Sequence, residues 1–152
     1  NGGNIQIQAG SLSLFEGAEI NTRTYGQGSA GGITINARDA ITLDGKGKEV
    51  LSRIISGINP EGTGNTGDIQ LTTNTLKLSN NAIISNSSIG KGNAGNITVD
   101  ARDITLDSGS YVTSSIYNQA EGKAGNILVN TETLLFNGGS QLTTTTSGKG
   151  DA

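Results

Sequence analysis

One short outline of glycine, alternating aliphatic residues and a polar corner returns five times along the chain. It is clearest in residues 95–106, which read G-N-I-T-V-D-A-R-D-I-T-L. Equivalent stretches begin at Gly3, Gly31, Gly67, Gly95 and Gly125, so that successive starts are 28, 36, 28 and 30 residues apart. Self-similarity at such a period is the signature of a repeat architecture, in which each unit packs on its neighbours. The fold must therefore repeat with a basic unit of 28 residues.

Aliphatic residues stand at alternate positions within every unit. This is the period of a β-strand, which turns successive side chains to opposite faces, and no window has the period of a helix. Three such pairs per unit, separated by polar corners, predict three short strands. The first position recurs as Ile5, Ile33, Ile69, Ile97 and Ile127, and the end of the second pair recurs as Leu14, Leu43, Leu78, Leu106 and Phe136. The weaker third pair ends in Ile20, Ile54, Ile84, Val112 and Leu142.

Strands this short and one-sided cannot bury their apolar faces alone, so each must stack on the same strand of the next unit. Stacking at the strand spacing of about 4.8 Å brings equivalent aliphatic side chains into one dry column. We predict an all-β fold, a right-handed parallel β-helix of five turns of about 28 residues with three short strands per turn. Residues 1–152 are expected to be a single β-helix segment and a slice of a longer array, because the chain begins and ends in phase with the repeat.

Glycine opens every unit at a corner of the predicted coil. We expect positive φ, which glycine adopts freely, at the five starting glycines: Gly3, Gly31, Gly67, Gly95 and Gly125. Asparagine follows the glycine at Asn4, Asn96 and Asn126, where stacked side chains can hydrogen-bond along the axis. The extra residues of the second and fourth units are assigned to outward loops near residues 45–53 and 117–123, and Pro60 is assigned to a corner.

The composition excludes several classes of function. A formal net charge of −3, with Lys and Arg scattered singly, leaves no basic stripe for nucleic acid. The chain contains neither cysteine nor histidine, which removes disulfides and thiolate metal sites. No apolar window is long enough to cross a membrane as a helix. We therefore expect no nucleic-acid partner, no membrane span, no metal site and no cofactor.

Three recurring motifs carry a resemblance to a known family. They are the recurring G-N-[IL]-x-[IV], the end of the second strand with its glycine corner (residues 13–18 and 135–140), and the glycine corner before the next unit (residues 28–31, 92–95 and 122–125). The units resemble the repeats of large cyanobacterial exoproteins related to filamentous haemagglutinin, over almost the whole chain. The resemblance implies the β-helical shaft of an adhesin-like fibre, exported by two-partner secretion to the extracellular space or the outer cell surface.

Two Arg-Asp pairs are the nearest approach to a catalytic cluster. Arg38-Asp39 and Arg102-Asp103 occupy the same corner of the second and fourth units, and similar β-helices carry acids and an arginine on an outer face in polysaccharide lyases. Equivalent positions two turns apart lie about 9.6 Å from each other, with an uncharged corner between them. Exposed ion pairs are the simpler interpretation, and we assign no catalytic residue.

Two further sets of side chains have a structural and a functional interpretation. Asp44 and Asp107 follow the second strand of their units, and we interpret them as turn residues because no unit provides the oxygen cluster that calcium requires. Tyr25 and Tyr117 stand at the same place in the first and fourth units. Aromatic rings can stack on sugars, but three turns of separation leave no continuous platform, so we expect both rings to pack under corners.

These observations favour a structural module without enzymatic activity. It would serve as the shaft of a fibre or adhesin and hold a contact at a distance. Open first and last turns would let it join flanking repeats or neighbouring copies by end-to-end strand stacking. The alternative is a carbohydrate-binding or polysaccharide-lyase-like β-helix, with surface glycans as its partners.

Overall fold

The computed structural model describes residues 1–46, 50–117 and 120–149 as a coil of strands, with no helix among them. Each of the first four turns contains one long and one short strand, and the last turn contains three short strands. The long strands are β1 (Ile5–Leu14), β3 (Ile33–Asp44), β5 (Ile69–Ser79) and β7 (Ile97–Leu106). The short strands are β2 (Glu19–Thr24), β4 (Arg53–Ile58), β6 (Ile83–Ser88) and β8 (Tyr111–Ile116). The last turn contains β9 (Ile127–Asn130), β10 (Thr133–Phe136) and β11 (Gln141–Thr146).

Every strand pairs in parallel with its counterpart in the adjacent turn. The long strands form a sheet in the order β1-β3-β5-β7, which β9 and β10 extend by both pairing with β7. The short strands form a second sheet in the order β2-β4-β6-β8-β11, called the short-strand sheet below. On the third side, single parallel bridges link Gln27, Thr63, Lys91, Glu121 and Lys149 in turn. The predicted fold class, an all-β parallel β-helix of about five turns, is confirmed.

The first two predicted strands of a unit continue as one strand in each of the first four turns. The polar corner between them does not end the ladder but shifts its register, between Ala9 and Ser11 in β1 against Ala37 and Ala40 in β3. A β-bulge bends a strand without ending it, so one strand can serve two sides of the coil. In the last turn β9 and β10 are separate strands, as the repeat predicts.

The aliphatic residues of equivalent positions lie in columns inside the coil, three of which contain the positions singled out from the sequence. The structure pairs Ile5, Ile33, Ile69, Ile97 and Ile127 in one file, and Leu14, Leu43, Leu78, Leu106 and Phe136 in another. The third file contains Ile20, Ile54, Ile84, Val112 and Leu142. Side chains of the central turns are fully buried, whereas those of the last turn are partly open, with Phe136 40% and Leu142 38% exposed. One apolar interior is thus shared by all turns.

The prediction of positive φ at the starting glycines is wrong. Positive φ at this corner occurs three residues earlier, at Gly28, Gly64, Gly92 and Gly122. The starting position needs glycine for space, because a Cβ at Gly31, Gly67, Gly95 or Gly125 would lie within 3.0 Å of the backbone of the neighbouring turn. At Gly3, no neighbour lies within 4 Å of that point. Successive turns therefore approach through their backbones at this corner.

The second turn places its additional residues in three outward positions. Relative to the third turn, they lie between β3 and β4, in the bulge of β3, and in the corner after β4 that contains Pro60. The fourth turn adds residues after β8, between Ile116 and Glu121. Residues 47–49, 118–119 and 150–152 lie outside the described residues, and they include part of both predicted insertions and of the last corner.

Candidate functional site

A column of polar side chains lies inside the coil beside the aliphatic columns, and sequence reasoning missed it. Its members stand two residues after the third aliphatic position, on the same inward face of the short strands. They are Thr22, Ser56, Asn86, Ser114 and Thr144, paired in register. The signal was present in the sequence, because Thr, Ser or Asn fills one inward position in every unit.

This polar column binds the backbone of the corner that opens each unit. The Ser114 hydroxyl donates to the carbonyl oxygen of Gly95 at 3.0 Å. The Asn86 amide donates from Nδ2 to the carbonyl oxygen of Gly67 at 2.7 Å, and its Oδ1 accepts from the N–H of Gly95 at 3.2 Å. Buried backbone groups require such partners, so the column is a structural element that joins the short-strand sheet to the corner.

A second polar ladder runs along an exposed corner. The N–H of Gly32 donates to Oδ1 of Asn4 at 2.9 Å, the N–H of Asn96 donates to Oδ1 of Asp68 at 2.7 Å, and the N–H of Asn126 donates to Oδ1 of Asn96 at 3.0 Å. The predicted bonding of asparagines along the axis is confirmed, with the difference that the side chain accepts from the backbone of the next turn. The ladder stabilises the stacking of turns and presents no reactive group.

The two Arg-Asp corners are exposed ion pairs, as interpreted from the sequence. Arg38 and Asp39 are 79% and 55% exposed, and Nη2 lies 2.8 Å from Oδ2. The hydrogen bond from Arg38 holds the pKa of the Asp39 carboxyl below its ordinary value. Arg102 contacts Glu132 of the next turn at 3.3 Å and Asp103 at 4.0 Å. In both corners the aspartate is paired with its neighbouring arginine. Neither corner therefore offers an unpaired carboxylate and an unpaired arginine side by side.

Asp44 and Asp107 are turn residues, as interpreted from the sequence. Oδ1 of Asp44 accepts from the Asn80 amide at 2.8 Å and from the N–H of Lys46 at 2.9 Å. These bonds, that from Asn80 first, lower the pKa of the Asp44 carboxyl. Oδ1 of Asp107 accepts from the N–H of Ser108 at 2.7 Å. Within residues 1–46, 50–117 and 120–149, no three acidic side chains come together as a cation site.

A groove of about 330 Å³ lies on the outer face of the short-strand sheet. Its floor is the third turn, where the outward side chains of β6 include Ser85 and Ser87, whose hydroxyls lie 2.7 Å apart in a hydrogen bond. The first, second and fourth turns form the walls, so four strands contribute to one site. The walls include Arg23 from the first turn, Arg53 and Asn59 from the second, and Tyr111 and Tyr117 from the fourth.

The two longer turns stand on either side of this floor. The third turn has the minimal unit of 28 residues. Asn59, in the longer corner after β4, and Tyr117, which follows β8 where the fourth turn is extended, both border the groove. In solenoids, insertions on one face often mark the binding face. The groove is therefore the strongest candidate site among the described residues.

The two arginines of the groove differ in whether an acidic side chain pairs with them. Nη2 of Arg53 lies 2.9 Å from Oε2 of Glu19, so this arginine is already paired. The Arg23 guanidinium has no side-chain partner in the described part of the chain. It extends over Gly57, where a Cβ would lie 3.5 Å from Cγ of Arg23. The groove therefore contains one uncompensated positive charge, on an otherwise acidic chain.

Two tyrosines close the groove at the fourth turn. Burial raises the pKa of the Tyr111 hydroxyl, nearby Tyr117 adds to the shift, and Arg53 opposes it. Tyr25, by contrast, is 71% exposed and borders a neighbouring hollow of about 480 Å³ beside Pro60. The expectation that Tyr25 packs under a corner is wrong. Sequence reasoning singled out Tyr117 but missed Tyr111 and Arg23, which the stacking of turns brings to the same surface.

Comparison with known proteins finds no matching family model, no matching curated protein and no matching solved structure. In the described residues, the structure contains no helix of the length and apolar character needed to span a membrane.

Proposed function

We propose that the chain is a structural shaft module of a secreted or cell-surface fibre or adhesin, which holds a contact at a distance. The observation that carries this proposal is the continuous stacking of equivalent aliphatic side chains through all five turns. Each added turn lengthens such a rod by about 4.8 Å without a change of cross-section. A coil of this kind suits a spacer, because its length grows with repeat number and its stiffness comes from a continuous core.

The two ends of the coil support assembly with flanking repeats or neighbouring copies. β1 and β2 each pair on one side, as do β9, β10 and β11, so backbone groups remain open at both ends. At the last turn the open strands carry partly exposed apolar side chains, among them Phe136 and Leu142. An open strand edge with apolar side chains is a template for a further strand. The proposed partner is therefore another β-helical turn.

An enzymatic role finds less support in the geometry. The acids nearest to a lyase-like arrangement, Asp39 and Asp103, lie beside Arg38 and Arg102 in exposed ion pairs. A general base would need a carboxylate free to accept a proton from substrate. A structural role needs none of these groups, and we therefore favour it over the lyase-like alternative.

Electron microscopy and light scattering of the concentrated 152-residue chain test the assembly. We expect rods or filaments, with an axial spacing of about 4.8 Å in fibre diffraction. Leu142→Asp places a charge in the column at the open end and should prevent assembly, whereas Leu128→Asp alters an outward side chain of the same turn and should not. Dispersed compact particles at every concentration, or equal effects of the two variants, would contradict the proposal.

A further inference from the structure

We propose that the groove on the outer face of the short-strand sheet binds an acidic sugar unit of a glycan, with Arg23, Ser85, Ser87 and Tyr117 as its principal contacts. The site lies on the outer face of the coil, with Arg23 in the first turn, Ser85 and Ser87 in the third and Tyr117 after β8 in the fourth. The proposal rests on the charge, the hydroxyl groups and the aromatic rings that four turns bring together there.

Arg23 provides the acidic specificity. Its guanidinium is the unpaired cation of the groove, while the second arginine, Arg53, is held by Glu19. A guanidinium presents a planar fork of donors that matches a carboxylate in a bidentate contact. The chain has a net charge of −3, so no general positive field draws anions to it. Arg23 would therefore attract a carboxylate only at short range, within the groove.

The remaining lining fits a sugar ring. Ser85 and Ser87 place a hydrogen-bonded pair of hydroxyls on the floor, and each retains further capacity to donate or accept. Tyr111 and Tyr117 present aromatic surface with a polar tip at one wall. A pyranose has the complementary character, with apolar C–H faces and hydroxyls around its edge. Small-ligand sites usually combine apolar and aromatic walls with a few polar groups.

The position of the groove favours a saccharide over an extended peptide. Peptides that bind to sheets usually add a strand to an open edge. Three of the four strands beneath the groove, β4, β6 and β8, are each paired on both sides, and the fourth, β2, carries Arg23 at the border of the groove. Over β4, β6 and β8 recognition must come from side chains alone. The volume of about 330 Å³ suits one or a few sugar units, and the hollow beside Tyr25 shares Asn59 with the groove.

Calorimetric titration with three matched probes tests the proposal. Tri-galacturonic acid carries sugar rings and carboxylates, its full methyl ester carries the rings alone, and tri-glutamate carries carboxylates without sugar rings. We expect tri-galacturonic acid to bind at least about tenfold more tightly than either control, since a charge-assisted hydrogen bond contributes about that factor. Amide chemical shifts of Ser85, Ser87 and Gly57 should move on binding.

Single substitutions test whether Arg23 and Tyr117 contact the bound sugar. Arg23→Gln should weaken binding of tri-galacturonic acid about tenfold and leave the weaker binding of the ester unchanged, and Tyr117→Ala should weaken both about threefold or more. Arg38→Gln and Phe15→Ala, exposed residues outside the groove, serve as controls and should change neither. Circular dichroism melts verify that each variant folds. Absence of binding, equal binding of tri-glutamate, or full affinity in Arg23→Gln would overturn the proposal.

Discussion

The side-chain amide of Asn86 donates to the carbonyl oxygen of Gly67 at 2.7 Å inside the coil, across 19 residues of sequence. The same side chain accepts from the hydroxyl of Thr66 and from the N–H of Gly95. One asparagine thus joins the short-strand sheet to the corners of two successive turns. A polar group in a dry interior is tolerated because its hydrogen-bonding capacity is used there.

Removing the Asn86 side-chain amide should reduce the stability of the folded chain. Asn86→Ala would leave buried backbone groups at Gly67 and Gly95 with fewer partners, and we expect a loss of about 2 to 4 kcal/mol in the free energy of unfolding. Urea titration followed by circular dichroism measures it. Asn74→Ala is the matched control, since the side chain of Asn74 is exposed and has no hydrogen-bond partner in the described residues, and its effect should be small. Equal losses in the two variants would show that the inner amide is dispensable.

The starting glycines allow a direct test of backbone contact between turns. A Cβ at Gly95 would meet the carbonyl oxygen of Gly67 at 2.7 Å, whereas the equivalent point at Gly3 has no neighbour within 4 Å. Gly95→Ala should therefore reduce the free energy of unfolding by about 1 to 3 kcal/mol through overpacking. Gly3→Ala should be neutral or slightly stabilising, because alanine restricts the unfolded chain. A loss of stability in Gly3→Ala as large as that in Gly95→Ala would point to backbone conformation as the cause.

The columns of the core could be predicted because two periods coincide in the sequence. Ile97 and Val99 alternate with Thr98 at the strand period, and the same pattern returns at the period of the unit. Each period alone is common, but together they allow few folds other than stacked turns. The inward face, the pairing of Ile69 with Ile97 and the exposed ion pair of Arg38 follow from that arrangement.

What could not be predicted depends on contacts between turns. The bulge that keeps β3 continuous past Ala37 depends on how the neighbouring strands fit, and a polar corner in the sequence indicates only a bend. The steric need for glycine at Gly95 arises from the backbone of the turn beside it. Likewise the groove combines Arg23 with Tyr117, three turns apart, and neither residue alone indicates a site.

The low pKa of Asp44 predicts a dependence of stability on pH. Hydrogen bonds from Asn80 and from the N–H of Lys46 favour the carboxylate in the folded chain, so its pKa lies below that in the unfolded chain. The stabilisation is present above the unfolded pKa and is lost as the pH falls through the folded pKa.

Thermal melts of the parent chain and of Asp44→Ala measure this contribution. The melting temperatures should differ most at about pH 6, and the difference should shrink as the pH falls through the folded pKa of Asp44. Glu61→Ala is the control, an exposed acid with no hydrogen-bond partner among the described residues, and should have little effect across the same range of pH. A difference between Asp44→Ala and the parent that persists in acid would exclude the charge as its source.

Ile97 and Thr98 test the assignment of inside and outside in the long strands. Ile97 is fully buried between Ile69 and Ile127 in the same file, and Thr98 lies on the opposite face of β7. Ile97→Asp would place an unpaired charge in the apolar interior, and we expect a loss of about 3 to 5 kcal/mol. Thr98→Asp should stay within about 0.5 kcal/mol of the parent, since its side chain reaches solvent.

Chemical unfolding of Ile97→Asp and Thr98→Asp at neutral pH tests this assignment of inside and outside. If both follow a two-state transition with the parental dependence on denaturant, their midpoints report the difference in stability directly. Similar midpoints would mean that Ile97 does not lie in a dry column. In that case the stacking of five aliphatic side chains, on which the coil depends, would have to be abandoned.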